Sequence, residues 1–174
     1  MKGRTSLWAV LLGALLASGR ATAATPLDEL ETWSGGDTAG WTNAQTGATL
    51  GNPGGCLELS FAAQERPALA ADTARRPLLP GTLVTQVTLQ VTAPDTPPSR
   101  LYLCLHSRRS GATWYLRLTA PQAGQTRQYQ VPLTAAAGWS QGPASTPQAF
   151  DADLRTADWL GVHVRRHGNP ARQR

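Results

Sequence analysis

The chain has 174 residues and a formal net charge of +5 at pH 7, with 16 basic and 11 acidic side chains. That length suits one domain with a single core, and no apolar stretch reaches the roughly 20 residues that a membrane-spanning helix needs. Much of the positive charge lies at the two ends, because Lys2, Arg4 and Arg20 precede residue 24 and four arginines lie in the last ten positions. Since phosphate binding needs a basic surface across the fold, this distribution argues against a nucleic-acid partner.

The amino-terminal segment has the parts of a secretory signal peptide. Two basic residues precede an apolar run at residues 7–17, and Ala21-Thr22-Ala23 offers small residues to a signal peptidase. We therefore predict a signal peptide at residues 1–23, followed by a single domain at residues 24–174 with a net charge of +2. The mature protein is expected to be secreted or periplasmic and to have no membrane partner after signal cleavage.

Six segments of the mature chain alternate apolar and polar residues, which is the period of a β-strand with one face on a core. Their apolar residues are, in chain order, Leu57, Leu59 and Phe61; Val87, Leu89 and Val91; Leu101, Leu103 and Leu105; Trp114, Leu116 and Leu118; Tyr129, Val131 and Leu133; and Leu160, Val162 and Val164. A seventh, weaker strand is expected near residues 30–33 or around Trp41.

The segments between these strands are rich in turn-forming residues, such as Asn52-Pro53-Gly54-Gly55 and Ser110-Gly111. Residues 107–112 should close a hairpin between the third and fourth strands. Residues 150–159 alternate less clearly and are expected to hold a helical turn capped by Asp151 or Asp153. Many short strands with such turns predict an all-β, antiparallel two-sheet β-sandwich.

Cys56 and Cys104 are the only cysteines of the chain. In an oxidising compartment such a pair usually forms a disulfide, so we predict a bond between them. The alternative is two buried thiols that behave as small apolar groups.

Several aromatic and glycine-containing segments recur around the predicted strands. They are Leu30-Glu31-Thr32-Trp33 with Gly40-Trp41, Gly54-Gly55-Cys56-Leu57-Glu58-Leu59, Trp114-Tyr115-Leu116, Gly138-Trp139, and Trp159-Leu160-Gly161-Val162-His163-Val164. On these segments the mature chain resembles the galactose-binding-like β-sandwich (jelly-roll) domains of secreted bacterial proteins, similar to carbohydrate-binding modules. The resemblance implies a sugar binder, a surface adhesin or a structural appendage.

In that family, the segment that corresponds to residues 165–174 commonly leads into one more strand, which pairs beside the first. Here the sequence ends at Arg174. The resemblance therefore implies a sandwich without its last strand, with unpaired backbone groups at one sheet edge.

Opposite the leucine-rich faces, the predicted strands carry polar and aromatic residues, namely Tyr102, His106, Tyr115, Arg117, Gln128, Gln130, His163 and Arg165. Aromatic rings cover the apolar C–H faces of a pyranose, while Arg, Gln and His supply hydrogen bonds to its hydroxyls. We therefore predict a ligand-binding face whose candidate contacts are Tyr102, His106, Tyr115, Arg117 and His163. The alternative is a solvated sheet face that binds no ligand.

The tryptophans of the mature chain are also either ligand contacts or structural residues, because an exposed indole is a typical binding surface for glycans. Trp114 shares the phase of the neighbouring leucines and is predicted to lie in the core. Trp139 follows a glycine in a loop and is expected to be exposed, so it joins the candidate ligand contacts. Trp33, Trp41 and Trp159 are expected to close the ends of the sandwich.

No cofactor is predicted. Two pairs have ligand spacing, His163 with His167 and Cys104 with His106. Zinc needs three or four converging ligands, so neither pair completes a site. The resemblance allows a structural calcium, which needs six to eight oxygens, and the best local cluster is Asp151, Asp153 and Asp158.

The chain has no Gly-x-Ser-x-Gly motif, and neither cysteine lies in a nucleophile context. A glycosidase needs two facing carboxylates, yet Glu58 is the single acid on the six alternating segments. We therefore predict a non-catalytic module whose partner is a polysaccharide or a cell-surface glycan. Two alternatives stay open: a structural or adhesive surface domain with no small-molecule site, and a glycoside hydrolase or lyase.

Overall fold

The computed structural model of the chain describes residues 10–13, 29–31, 33–44, 48–61, 70–81, 84–93, 97–143 and 145–166. Within these ranges the chain forms eleven strands, a short 3-10 turn and one α-helix. The strands are β1 (Val10–Gly13), β2 (Glu29–Glu31), β3 (Thr42–Asn43), β4 (Ala48–Gly51), β5 (Glu58–Phe61), β6 (Ala70–Pro77), β7 (Gln86–Ala93), β8 (Arg100–Ser107), β9 (Thr113–Leu118), β10 (Gln125–Pro132) and β11 (Ala157–Arg166). The 3-10 turn is Ala135–Ala137, and the helix α1 is Pro147–Leu154.

Two antiparallel sheets form the body of the fold. The larger sheet has the order β3-β6-β11-β8-β9, and the opposite sheet has the order β10-β7-β1-β2. A separate hairpin joins β4 and β5. Each of the six segments predicted from alternation contains a strand, which confirms the prediction of an all-β, sandwich-like fold.

The core lies between the two sheets. β8 contributes Leu101, Leu103 and Leu105, each at most 1% exposed, and β7 contributes Val87 and Leu89 from the opposite sheet. Burying a leucine of this kind stabilises the fold by about 1.5–3 kcal/mol. Alternation places the apolar residues of these strands on this side, so the polar residues of the larger sheet share its other side.

The predicted hairpin and helical turn are both present. β8 and β9 pair in register, and Ser107 accepts a hydrogen bond from Gly111 across the connecting turn. The helix α1 starts earlier than predicted, because Thr146 caps it by accepting a hydrogen bond from the Ala149 amide at 3.1 Å. The prediction of an aspartate cap is therefore wrong, and Asp153 lies near the end of the helix instead.

β6 is a strand that the alternation pattern did not indicate. Its sequence, Ala-Ala-Asp-Thr-Ala-Arg-Arg-Pro, has no large apolar residue. It nevertheless pairs with β11 over eight residues, and Ala74 packs beneath it against Trp33 and Trp41. Two tryptophans from the preceding loops thus supply the apolar volume that the strand itself lacks.

β1 lies inside the segment predicted as the signal peptide and pairs with β2 and β7. The sheet is described here in the full-length chain, which still contains residues 1–23. The signal peptide stays a prediction. Residues 167–174, on which the expectation of a further strand depends, lie outside the described residues. Among the described residues, no helix has the length and hydropathy to cross a membrane.

Candidate functional site

The polar side of the larger sheet, here called the outer face, is organised by the pairing register of four strands. Residues that are directly opposite each other on neighbouring strands point to the same side of a sheet. From β6 through β11 and β8 to β9, the rows of the outer face are Thr73, His163, Tyr102 and Arg117; Arg75, Gly161, Cys104 and Tyr115; and Pro77, Trp159, His106 and Thr113. Arg100 and Arg165 face each other in the row above these.

Three rings pack together at the centre of the outer face. The ring centroids of Tyr102 and Tyr115 are 6.0 Å apart, and His163 lies 5.8 Å from the first and 5.7 Å from the second. The tyrosine rings meet edge to face at 80°, a favourable geometry for aromatic pairs. Cys104 and Gly161, which lie in the same row as Tyr115, are small residues. The three rings therefore close over this row, and Cys104 is 0% exposed.

His163 is the most enclosed member of this ring cluster, at 8% exposed. Its Nδ1 atom lies 2.8 Å from the Thr73 hydroxyl, which fixes the orientation of the imidazole. Burial lowers the pKa of His163 from its usual 6.5, and the nearby Arg165 guanidinium lowers this pKa further. The ring is therefore neutral at neutral pH.

A second aromatic group lies beside the ring cluster. The indole of Trp159 stacks on His106 at 5.2 Å with an interplanar angle of 4°, and the Arg75 guanidinium lies 5.7 Å from the indole centroid. His106 is held in place by Asp158, whose Oδ1 atom is 2.5 Å from the imidazole Nδ1. Trp159 is half-buried, so the outer face offers an indole as well as two phenols.

The exposed parts of the outer face are phenol and guanidinium groups. Tyr115 is 38% exposed, and Arg117, which lies opposite Tyr102, is exposed to solvent. Burial raises the pKa of Tyr115 above its usual 10, so the phenol stays protonated and can donate a hydrogen bond. Arg165 is half-buried, and its Nε atom is buried without a hydrogen-bond partner among the described residues.

The structure brings five of the six candidate contact residues to this one face: Tyr102, His106, Tyr115, Arg117 and His163. Their role in binding stays a prediction. Gln128 and Gln130 do not share this face, because β10 belongs to the opposite sheet.

The prediction that Trp139 is exposed is wrong. Trp139 is only 6% exposed and stacks on Phe150 of α1, with ring centroids 5.4 Å apart. The chain reverses just before it, since Gly138 has a φ of 91°, a left-handed conformation that glycine tolerates. This reversal directs the indole into the core rather than toward solvent, so Trp139 is removed from the candidate contacts.

Sequence reasoning missed three charged or aromatic residues of the outer face, namely Arg75, Arg100 and Trp159. Trp159 is four residues before His163, so it lies on the same side of the strand as His163. The sequence alone could therefore have predicted its position on the outer face. The position of Arg75 could not be predicted from the sequence, because β6 lacks the apolar alternation that indicates a strand. Since Trp159 lies on a sheet face, the expectation that it closes an end of the sandwich is wrong.

The predicted disulfide between Cys56 and Cys104 is absent. Cys104 lies on the outer face, whereas Leu57, the neighbour of Cys56, packs with Trp33 and Ala74 on the core side of β6. The segment that contains Cys56 therefore lies on the core side of β6, away from the outer face on which Cys104 lies. Burial raises the pKa of the Cys104 thiol far above its usual value, which makes it a poor nucleophile.

The described residues contain no group of three or more His, Cys, Asp or Glu side chains that could hold a metal ion. Two aspartates of the candidate calcium cluster have other partners, since Asp153 binds the β8–β9 hairpin and Asp158 binds His106. His167 lies outside the described residues.

Comparisons of this chain with protein-family models, curated proteins and solved structures find no match. The functional proposal therefore depends on the geometry of the outer face.

Proposed function

We propose that this protein is a secreted, non-catalytic module that binds a polysaccharide or cell-surface glycan through its outer face. The observation that carries the proposal is the grouping of Tyr102, Tyr115 and Trp159 with several arginines on one side of a rigid sheet. Aromatic surfaces pack against the C–H faces of sugar rings, and guanidinium groups donate hydrogen bonds to hydroxyls. We also propose kinship with galactose-binding-like domains, which the antiparallel sandwich supports.

A rigid sheet suits this function, because ordering side chains costs binding free energy. The rings of the outer face already contact each other, and His163 is anchored through Thr73. The tyrosine rings lie at 80° to each other and do not form a flat surface. This arrangement fits the uneven outline of a single glycan chain better than the flat face of a crystalline polymer.

The test is isothermal titration calorimetry of the full chain against a panel of plant and bacterial polysaccharides. Replacing Tyr115 by alanine should weaken binding about tenfold, since it removes the most exposed ring of the outer face. The matched control is Gln128→Ala, which changes an exposed side chain on the opposite sheet and should leave the Kd unchanged.

Absence of binding by the wild-type protein at millimolar ligand would contradict the proposal and favour a structural or adhesive domain. The same mixtures are examined for chain cleavage by the reducing ends that hydrolysis releases and by the ultraviolet absorbance of unsaturated sugars that a lyase forms. Cleavage would show that the face is catalytic and would contradict the non-catalytic part of the proposal.

A further inference from the structure

The charged side chains in the rows of the outer face are all arginines. Arg75, Arg100, Arg117 and Arg165 each come from a different strand, and none of the positions in its rows is an aspartate or glutamate. Asp158, at the His106 end, is bound to that histidine. The guanidinium charge of this surface is therefore not balanced by carboxylates of the rows themselves.

The four arginines also lack ion-pair partners among the described side chains. The two ion pairs there join His106 to Asp158 and Arg109 to Asp153, and neither includes an arginine of the outer face. Surface arginines often pair with a nearby carboxylate, so four that do not, on one side of one sheet, leave their donors available for a ligand.

Arg165 provides an independent indication that the ligand carries an anionic group. Its Nε atom is buried and makes no hydrogen bond within the described part of the chain, although buried donors in proteins are nearly always satisfied. Arg165 lies two residues after His163 on β11 and therefore on the same side of the sheet, and its charge acts to lower the pKa of both His163 and Tyr115. An anionic oxygen bound at this position would satisfy the donor and balance the charge.

We propose that the ligand of the outer face is an acidic glycan, in which uronate or sulfate groups bind the arginines while the sugar rings contact Tyr102 and Tyr115. This inference depends on the proposed function and narrows its ligand class. Guanidinium groups bind carboxylate and sulfate oxygens through paired hydrogen bonds between opposite charges. The hydroxyl groups of a neutral sugar accept hydrogen bonds but carry no negative charge.

The same arginines could in principle attract nucleic acid, but the aromatic geometry favours sugar. Single-stranded nucleic acids stack their bases on open ring faces. Here Tyr102 and Tyr115 meet edge to face, and the Trp159 indole has His106 against it on one side and Arg75 near its ring. A glycan needs only C–H contacts with the exposed edges and part of a face, which Tyr115 offers.

The experiment compares binding of the full chain to polygalacturonate, chondroitin sulfate, a neutral galactan and single-stranded DNA, by calorimetry at low and at high salt. The acidic glycans should bind at least about tenfold more tightly than galactan at low salt, and added salt should reduce this difference. Arg117→Ala should weaken acidic-glycan binding about fivefold. The matched control is Arg108→Ala, which removes an exposed arginine from the β8–β9 turn and should change the Kd by less than about twofold.

The outcomes separate the two proposals. Equal binding of neutral and acidic glycans would overturn this inference and leave the proposed function standing. Tighter binding of DNA than of any glycan would overturn both, and so would binding of none of the four probes. Equal losses in Arg117→Ala and Arg108→Ala would also overturn it, because the effect would then come from net charge and not from the outer face.

Discussion

Asp153 is the buried carboxylate that joins α1 to the β8–β9 hairpin. It is 1% exposed, and its two oxygens accept hydrogen bonds from the hydroxyls of Ser107 and Ser110, the indole of Trp114 and the guanidinium of Arg109. Burial acts to raise the pKa of this carboxyl, but the hydrogen bonds from Trp114, Ser110, Ser107 and Arg109 outweigh it and lower the pKa below the usual 3.8. The ionised carboxylate is thus a structural anchor rather than a calcium ligand.

Replacing Asp153 by asparagine should lower the free energy of unfolding by about 3 kcal/mol, measured by urea denaturation at pH 7. An amide nitrogen at either oxygen position would face donors that need an acceptor there. The control Asp151→Asn changes an exposed side chain on the same helix and should have little effect.

The same variant has a pH signature with a definite sign. A carboxylate with a lowered folded pKa contributes stability that is fully present above its unfolded pKa and is lost as the pH falls below it. The wild-type protein should therefore lose stability below about pH 4 more steeply than Asp153→Asn. Parallel curves for the two proteins would contradict the anchor role.

At the scale of single elements, β11 illustrates how one strand determines the site. It lies between β6 and β8, and through this position it places His163 opposite Tyr102 and Trp159 opposite His106. The close approach at Gly161 allows this arrangement, since a Cβ atom there would lie 2.8 Å from the Ala74 carbonyl oxygen and 3.1 Å from the Trp159 ring.

Gly161→Ala should therefore destabilise the protein by about 2 kcal/mol and displace the Trp159 indole from His106. Chemical denaturation gives the first quantity, and the shift of tryptophan fluorescence reports the second. Gly51→Ala is the matched control, because Gly51 also lies in a strand but a Cβ atom added there would meet no other atom within 4 Å. An unchanged denaturation midpoint in Gly161→Ala would refute the close approach.

At the scale of the whole molecule, the two-sheet arrangement explains why the cysteines do not meet. Cys104 points away from the core and is covered by the ring cluster, whereas the segment with Cys56 packs toward the core side of the same sheet. A disulfide would need the two Cα atoms within about 7 Å, with their side chains pointing toward each other.

Thiol labelling without reductant tests this separation. The native protein should react at Cys56, which is half-buried, well before Cys104, which is fully buried. After unfolding in urea, intact-mass spectrometry should show two added groups. A mass with no added groups would show that a disulfide forms and would contradict the structure at this point.

Alternation alone was enough to predict six strands, the β8–β9 hairpin and the burial of Trp114, because a strand with one face on a core must place an apolar residue at every second position. The same rule assigned Tyr102, Tyr115 and His163 to polar faces. It failed for β6, where the loop residues Trp33 and Trp41 supply the apolar contact instead of the strand.

The sequence by itself thus determined the fold class and the side of its strand on which each candidate strand residue lies, because both follow from local periodicity. Only the tertiary structure decided which of those residues meet. Strand order placed Gln128 on the other sheet, a chain reversal buried Trp139, and pairing with β6 added Arg75 to the outer face. These outcomes depend on contacts between segments far apart in the chain, and local periodicity carries no information about them.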